Sequence, residues 1–254
     1  MSYIVKEENG FKYIEEGEGD VLLLLHGLFG ALSNWEDVTE AFKSQYRVVI
    51  PLLPIYELPL LTTGVTTLAK FLLRFVRHKQ LKNINLLGNS LGGHVALIFT
   101  LSNPEYVKAL VLTGSSGLYE NSFGGSFPRR ESYDFIQEKV AFTFYDPAMA
   151  TKELVDEVFA AVNDRNKVIR ILSMAKSAIR HNMAKDLHKI TIPVCLIWGK
   201  DDKVTPPEVA EEFYHLLPNS ELNWVDKCGH APMMERPAEF IEYLQKFLDR
   251  VLLK

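Results

Sequence analysis

Three short segments of the chain carry residue types that together could perform nucleophilic catalysis. The first is Gly88-Asn89-Ser90-Leu91-Gly92, a G-x-S-x-G pentapeptide that follows the apolar run Ile84–Leu87 and opens the helix-forming stretch Ser90–Leu101. In that context the pattern describes a sharp strand-to-helix turn, in which flanking glycines leave room for a strained serine held proud of a sheet edge. A serine hydroxyl is a poor nucleophile at neutral pH and needs a base, itself held by an orienting group. The base of choice is histidine, and both partners should sit just past the C-terminal ends of strands. The second segment, Gly199-Lys200-Asp201-Asp202-Lys203-Val204-Thr205-Pro206, supplies two candidate acids. The third, Asp226-Lys227-Cys228-Gly229-His230-Ala231-Pro232, supplies the histidine. Each has a plainer reading: Ser90 as a helix N-cap, His230 as a loop histidine, Asp202 as a surface or capping carboxylate.

The elements that must position these residues alternate between strands and helices. Tyr3–Val5 and Phe11–Glu15 read as strands around the turn Glu8-Asn9-Gly10. Val21–Leu25 is apolar on both faces and belongs inside a sheet covered on both sides. Arg47–Ile50, Ile84–Leu87, Tyr106–Leu112, Val194–Trp198 and Glu221–Val225 are further strands. Helical spacing marks Asn34–Lys43, Thr66–His78, Ser90–Leu101, Pro207–Leu217 and Ala238–Leu253. Between Leu118 and about His188 no buried strand is evident. Asn121–Arg130 reads as a loop, followed by helical patches at Ser132–Phe142, Lys152–Asn163 and Lys167–Arg180. The expected fold class is therefore α/β, a mostly parallel twisted sheet with helices on both faces. Residues 1–117 and 189–254 form the core domain, and residues 118–188 form a helical cap inserted after the sixth strand.

Composition narrows the partners. The 28 basic against 32 acidic residues give a net charge of −4, with no basic stripe interleaved with aromatics, which argues against nucleic acid. Two cysteines, Cys195 and Cys228, make neither a disulfide framework nor a metal cluster, and Cys195 reads as a core thiol. The first residues lack the basic start and apolar run of a signal peptide, and no run is long enough to span a bilayer. The expectation is a cytoplasmic enzyme without metal or cofactor, not inserted in a membrane, whose partner is a small-molecule ester.

From about Val21 to the C-terminus the sequence resembles the α/β-hydrolase superfamily. The resemblance rests on H-G-L-F-G, G-N-S-L-G-G, W-G-K-D-D-K-V-T-P and C-G-H-A-P-M-M-E-R-P. It implies the chain order Ser90, acid, His230. The family pattern G-x-x-D-x-x-x-P selects Asp202, with Asp201 as runner-up. The resemblance also implies an oxyanion hole from the backbone N–H groups of Leu28 and Leu91, and catalysis through an acyl-enzyme. His26 would then shape the oxyanion loop. His94 reads as a packing or hydrogen-bonding histidine, and Arg129-Arg130 as a solvated pair with an anion clamp as rival. Phe29, Asn89 and Met233 are candidates for the substrate pocket. Trp35 and Met234 divide between pocket and core.

Several positions depart from the family. Pro51–Leu61 replaces the usual Asp-x-x-Gly-x-Gly-x-Ser loop. Serine rather than aspartate at the elbow excludes the epoxide-hydrolase and haloalkane-dehalogenase branches. Asn89 and the stretch from Phe144 to Leu154 resemble the meta-cleavage-product hydrolases, which break C–C bonds. Val158 and Ala231, however, stand where that subfamily has arginine and tryptophan. Hydrolysis of small or medium carboxylic esters is therefore the favoured reading. C–C hydrolysis and a non-catalytic ligand-binding module are the alternatives.

Overall fold

The computed structural model describes residues 3–30, 34–121 and 128–253. Eight strands form one sheet in the order β1-β2-β4-β3-β5-β6-β7-β8. The hairpin β1 (Lys6–Glu8) and β2 (Phe11–Glu16) is antiparallel and lies at one edge. β3 (Asp20–Leu25), β4 (Tyr46–Pro51), β5 (Ile84–Asn89), β6 (Val107–Thr113), β7 (Val194–Gly199) and β8 (Ser220–Val225) run parallel. Parallel pairing brings the C-terminal ends of these six strands to one edge, the place where loops can converge on a ligand.

The continuous apolar runs are explained by burial on both faces. In β3, Leu23 and Leu25 pack into one core cluster while Leu22 and Leu24 pack into the other. This is the period-2 alternation of a strand with no solvent side. The first cluster is closed by α2 (Val65–His78), α3 (Leu91–Ser102) and α7 (Pro207–Leu216). The second is closed by α1 (Glu36–Phe42) and α9 (Pro237–Leu252). Burying side chains of this size contributes roughly 1.5–3 kcal/mol each, before the entropy of ordering them is subtracted.

Between β6 and β7 the chain forms α4 (Tyr133–Phe142), α5 (Lys152–Asn163) and α6 (Arg165–Arg180). The α6 helix joins the two clusters, with Val168 and Ile171 in the second and Met174 and Ala178 in the first. Residues 122–127 of the Gly/Ser/Phe-rich stretch lie outside the described residues.

The first strand differs from the sequence expectation. Asn9 and Gly10 both have positive φ, 49° and 79°, and make a two-residue turn that pairs Glu8 with Phe11. The strand must therefore begin at the turn, over Lys6–Glu8. Ile4 and Val5 stand exposed before it. No helix among the described residues is long and apolar enough to cross a membrane.

Candidate active site

Ser90 sits between β5 and α3 with φ 54° and ψ −121°. A non-glycine residue held in that region stores strain that the surrounding structure must impose. The glycines show how. A Cβ on Gly88 would meet the Gly92 carbonyl oxygen at 2.5 Å, and one on Gly92 would meet the His26 oxygen at 2.7 Å. From Ile84 to Thr100 every residue is buried except Ser90. Its N–H donates to the Thr113 carbonyl (3.2 Å), and its own carbonyl accepts from Ser116 N–H (3.1 Å). The elbow is thus locked to the loop after β6.

The histidine and its acid come together from the ends of β8 and β7. His230 Nδ1 lies 2.9 Å from Asp202 Oδ2. Asp202 is itself held: its Oδ1 accepts from the N–H groups of Val204 (2.8 Å) and Thr205 (3.0 Å), and its Oδ2 from the Thr205 hydroxyl (2.8 Å). Asp201, the runner-up, is exposed and directs its N–H to the Cys228 carbonyl. Burial pushes His230 toward the neutral form. The charge and hydrogen bond of Asp202, with the charges of Glu120 and Glu235, outweigh it and hold the imidazole above its ordinary 6.5.

One cavity is lined by Ser90, His230, Leu28, Phe29, Asn89 and Leu91 among others. Leu91 opens α3, so its N–H has no intrahelical acceptor and lies at the positive end of the helix. Leu28 follows the turn that His26 organises. His26 Nε2 accepts from Leu53 N–H (2.9 Å), which leaves Nδ1 to donate to the Gly27 carbonyl (2.8 Å). Burial lowers the pKa of this imidazole, against the Gly27 bond, so the neutral ring is favoured. The proline-rich loop is therefore the partner of the His26-Gly27-Leu28 turn, anchored further by buried Leu53, Ile55 and Leu58.

Other predicted residues are placed differently. Met233 is 1% exposed inside the second core cluster and does not line the cavity. The reason is α8 (Pro232–Glu235), a short helix that the sequence reading lacked, which turns this methionine inward. Asn89 reaches the cavity wall, but its Nδ2 donates to the carbonyls of Thr113 (3.0 Å) and His230 (3.1 Å). Those bonds tie the elbow to the histidine turn. Trp35 packs against Phe240 in the core and is not among the lining residues.

His94 pairs with His181 across 3.0 Å. Burial first, then the neighbouring His181, pushes it down to about 3, so it stays neutral. Arg130 pairs with Glu131 at 3.2 Å, and neither it nor Arg129 lines the cavity. Val158 is buried in the second cluster. Cys195 and Cys228 are both buried free thiols.

Sequence reasoning missed three residues that shape the site. Thr205 orients Asp202, as described above. Glu235 accepts from the N–H groups of Gly229 (2.9 Å) and Tyr145 (2.7 Å), fixing the histidine turn against the end of α4. Glu120 lines the cavity and accepts the Ser116 hydroxyl at 2.5 Å. Thr205 and Glu235 lie inside the motifs W-G-K-D-D-K-V-T-P and C-G-H-A-P-M-M-E-R-P, whereas the signal for Glu120 is only its place in the loop after β6.

A serine on a strained turn, a histidine held by a buried acid, and a helix N-terminus thus come together at one cavity. Residues 20–237 match the family described as the alpha/beta hydrolase fold, and the chain belongs to that family. Among solved structures it is similar to MGS-MChE2, an alpha/beta hydrolase enzyme from the metagenome of sediments of the Mar Chica lagoon in Morocco. That likeness has 48% identity, a TM-score of 0.81, and coverage of 97% of this chain and 98% of the other. A 2-hydroxy-6-oxononadienedioate/2-hydroxy-6-oxononatrienedioate hydrolase from Pseudomonas sp is 27% identical, over 96% of this chain and 94% of that one. A pimeloyl-[acyl-carrier protein] methyl ester esterase from Vibrio cholerae is also 27% identical, over 92% of this chain and 96% of that one.

Proposed function

We propose that this protein hydrolyses small to medium carboxylic esters through an acyl-enzyme formed on Ser90. The observation that carries the reading is the Ser90 elbow, the one unburied point between Ile84 and Thr100. It opens on the same cavity as a His230 whose Nδ1 is held by Asp202. In the first half-reaction Ser90 Oγ attacks the ester carbonyl carbon while His230 Nε2 takes the hydroxyl proton. Asp202 keeps the imidazole in the tautomer with Nδ1 protonated and stabilises the imidazolium. The carbonyl oxygen becomes an oxyanion that accepts from the N–H groups of Leu28 and Leu91. Collapse expels the alcohol, which receives the proton from His230. Water, deprotonated by the same histidine, then releases the acid and restores Ser90. The described helices α4 and α6 act as the lid over this site, since Thr143, at the end of α4, and Ala175 and Ala178 of α6 line the cavity wall.

Asn89 and the 27% identical Pseudomonas relative favour a second reading, C–C hydrolysis of a dienol-diketo acid. Two observations weigh against it. No lysine or arginine is found among the described lining residues to hold a substrate carboxylate, and Val158 packs in the core.

A panel of chromogenic acyl esters tests the proposal, with Ser90→Ala as control. Turnover is expected for the native protein and a loss of about 10⁴- to 10⁶-fold for the variant, together with loss of labelling by a fluorophosphonate. Absence of both turnover and labelling in the native protein would overturn the reading. Faster cleavage of a dienol-diketo acid than of any ester would move it to the second.

A further inference from the structure

The loop after β6 brings a carboxyl group into the cavity that the chemistry above does not use. The loop is fastened at both ends. Ser116 N–H donates to the Ser90 carbonyl, and Asn121 N–H donates to the Val204 carbonyl at 2.7 Å. The Asn121 amide also donates to the Lys203 carbonyl at 2.7 Å. Glu120 is therefore clamped between the nucleophile elbow and the acid loop. Its Oε2 accepts the Ser116 hydroxyl, and Oε1 has no protein hydrogen-bond partner among the described residues.

The electrostatic surroundings are one-sided. Glu120 is the only acidic residue among the described lining residues, and its neighbours there include no lysine or arginine. The further charges that act on His230 are those of Asp202 and Glu235, also acidic. The nearby cation of Lys203 is directed over the Phe142 ring, 5.8 Å from its centroid. Burial raises the Glu120 carboxyl above its usual range, against the Ser116 bond and the His230 charge. A partly buried acceptor whose second oxygen has no partner among the described residues favours a donor brought by the ligand, whereas a ligand carboxylate would bring only further acceptors to a wall without lysine or arginine.

We propose that Glu120 is the specificity residue of this site, accepting a hydrogen bond from a hydroxyl or ammonium group on the substrate and excluding substrates that carry a carboxylate there. The substrate class is thus a donor-bearing ester. This inference rests on the serine-hydrolase reading of Ser90. It goes beyond that reading by naming what the rest of the substrate carries.

The test uses esters with one common leaving group and acyl chains ending in ammonium, hydroxyl, methyl or carboxylate. For the native protein kcat/KM should fall in that order, with an ammonium-to-carboxylate ratio of about a hundredfold. Glu120→Gln keeps an acceptor for Ser116 and removes the charge. It should shrink that ratio about tenfold, mainly through KM. Glu120→Asp should keep the order. A clip that only holds Ser116 would change all four esters together and leave the ratio standing. Native kcat/KM that is equal across the series, or highest for the carboxylate, overturns the proposal without any variant, as does a ratio unmoved in Glu120→Gln.

Ester turnover without selectivity would sink the Glu120 role and leave the esterase reading intact. If no ester turns over, ammonium- and carboxylate-terminated alkylphosphonates replace the esters, and the readout is their rate of labelling Ser90. Preference for the ammonium compound then supports Glu120 while the esterase reading fails. Equal rates, or no labelling, overturn the Glu120 role as well.

Discussion

Between Ile84 and Thr100 every residue except Ser90 is buried, whereas the helices at 133–180 leave Phe142, Ile169 and Ile179 exposed. Both regions contribute to the walls of one cavity. They are built differently. The elbow is constrained by backbone against backbone: glycines 88 and 92 abut main-chain atoms, and the strand before them is paired on both sides. The insertion is held by side chains and caps. Thr151 and Asp164 accept from amides at the starts of α5 and α6, and apolar faces meet between α4, α5 and α6. A region fixed by its backbone tolerates little and suits the reacting groups. A region fixed by side chains can change its lining at small cost and suits selectivity.

That contrast can be broken most forcefully at the acid. Asp202→Asn keeps the shape of the core but removes the charge that holds His230. A loss in kcat of about 10⁴-fold is expected if the acid works as proposed. The pH profile gives the sign. In the proposed mechanism His230 must be neutral to accept the serine proton, and its pKa is held above 6.5 mainly by Asp202 working against burial. The native kcat/KM should therefore fall on acidification, with a midpoint above 6.5. In the variant, where burial acts with less opposition, the midpoint should move to lower pH. A midpoint that stays put would mean that another group titrates.

Gly92→Ala probes the same region through its backbone. The new methyl would meet the Leu25 carbonyl carbon at 2.6 Å and the His26 oxygen at 2.7 Å, and neither can swing aside. Overpacking of this kind costs about 1–3 kcal/mol, read as a lowered denaturation midpoint. Because His26 leads into the Leu28 turn, ester turnover should fall as well. A stable, fully active variant would show that the elbow is less rigid than its contacts imply.

The smallest effect is expected in the insertion. Asp164 caps α6, accepting from the N–H groups of Asn166 (2.8 Å) and Lys167 (3.1 Å). Asp164→Ala should lower Tm by about 2–4 °C for a chain of this size, with the midpoint of the pH profile unmoved. A shifted midpoint would mean that the insertion reaches the reacting groups after all.

Much of the core was legible because its signals are local. Five consecutive apolar residues at Val21–Leu25 can only be satisfied inside a covered sheet, and α2 shows its apolar face at every turn from Val65 to Val76. The elbow was legible because strand, glycines and helix are adjacent in the chain. Met233 was misplaced because a four-residue helix leaves too short a pattern to read. Thr205 and Glu235 lie inside quoted motifs but carried no role there, and Glu120 carried no pattern, since its place in the cavity is set by contacts with other loops.

The sequence alone thus determined the layered α/β architecture and the strand–turn–helix around Ser90. Apolar periodicity and glycine sterics act within a few residues and leave little choice. Tertiary structure alone decided how Asp202 is held against His230 by Val204 and Thr205, that His26 grips the Pro51–Leu61 loop, and that a carboxylate rather than a cation faces the cavity. Those outcomes depend on hydrogen bonds such as Leu53 to His26, Asn89 to His230 and Asp202 to His230, which join residues 27, 141 and 28 positions apart. No local pattern encodes such distances. Only the closing of the sheet edge brings the groups within reach of one another.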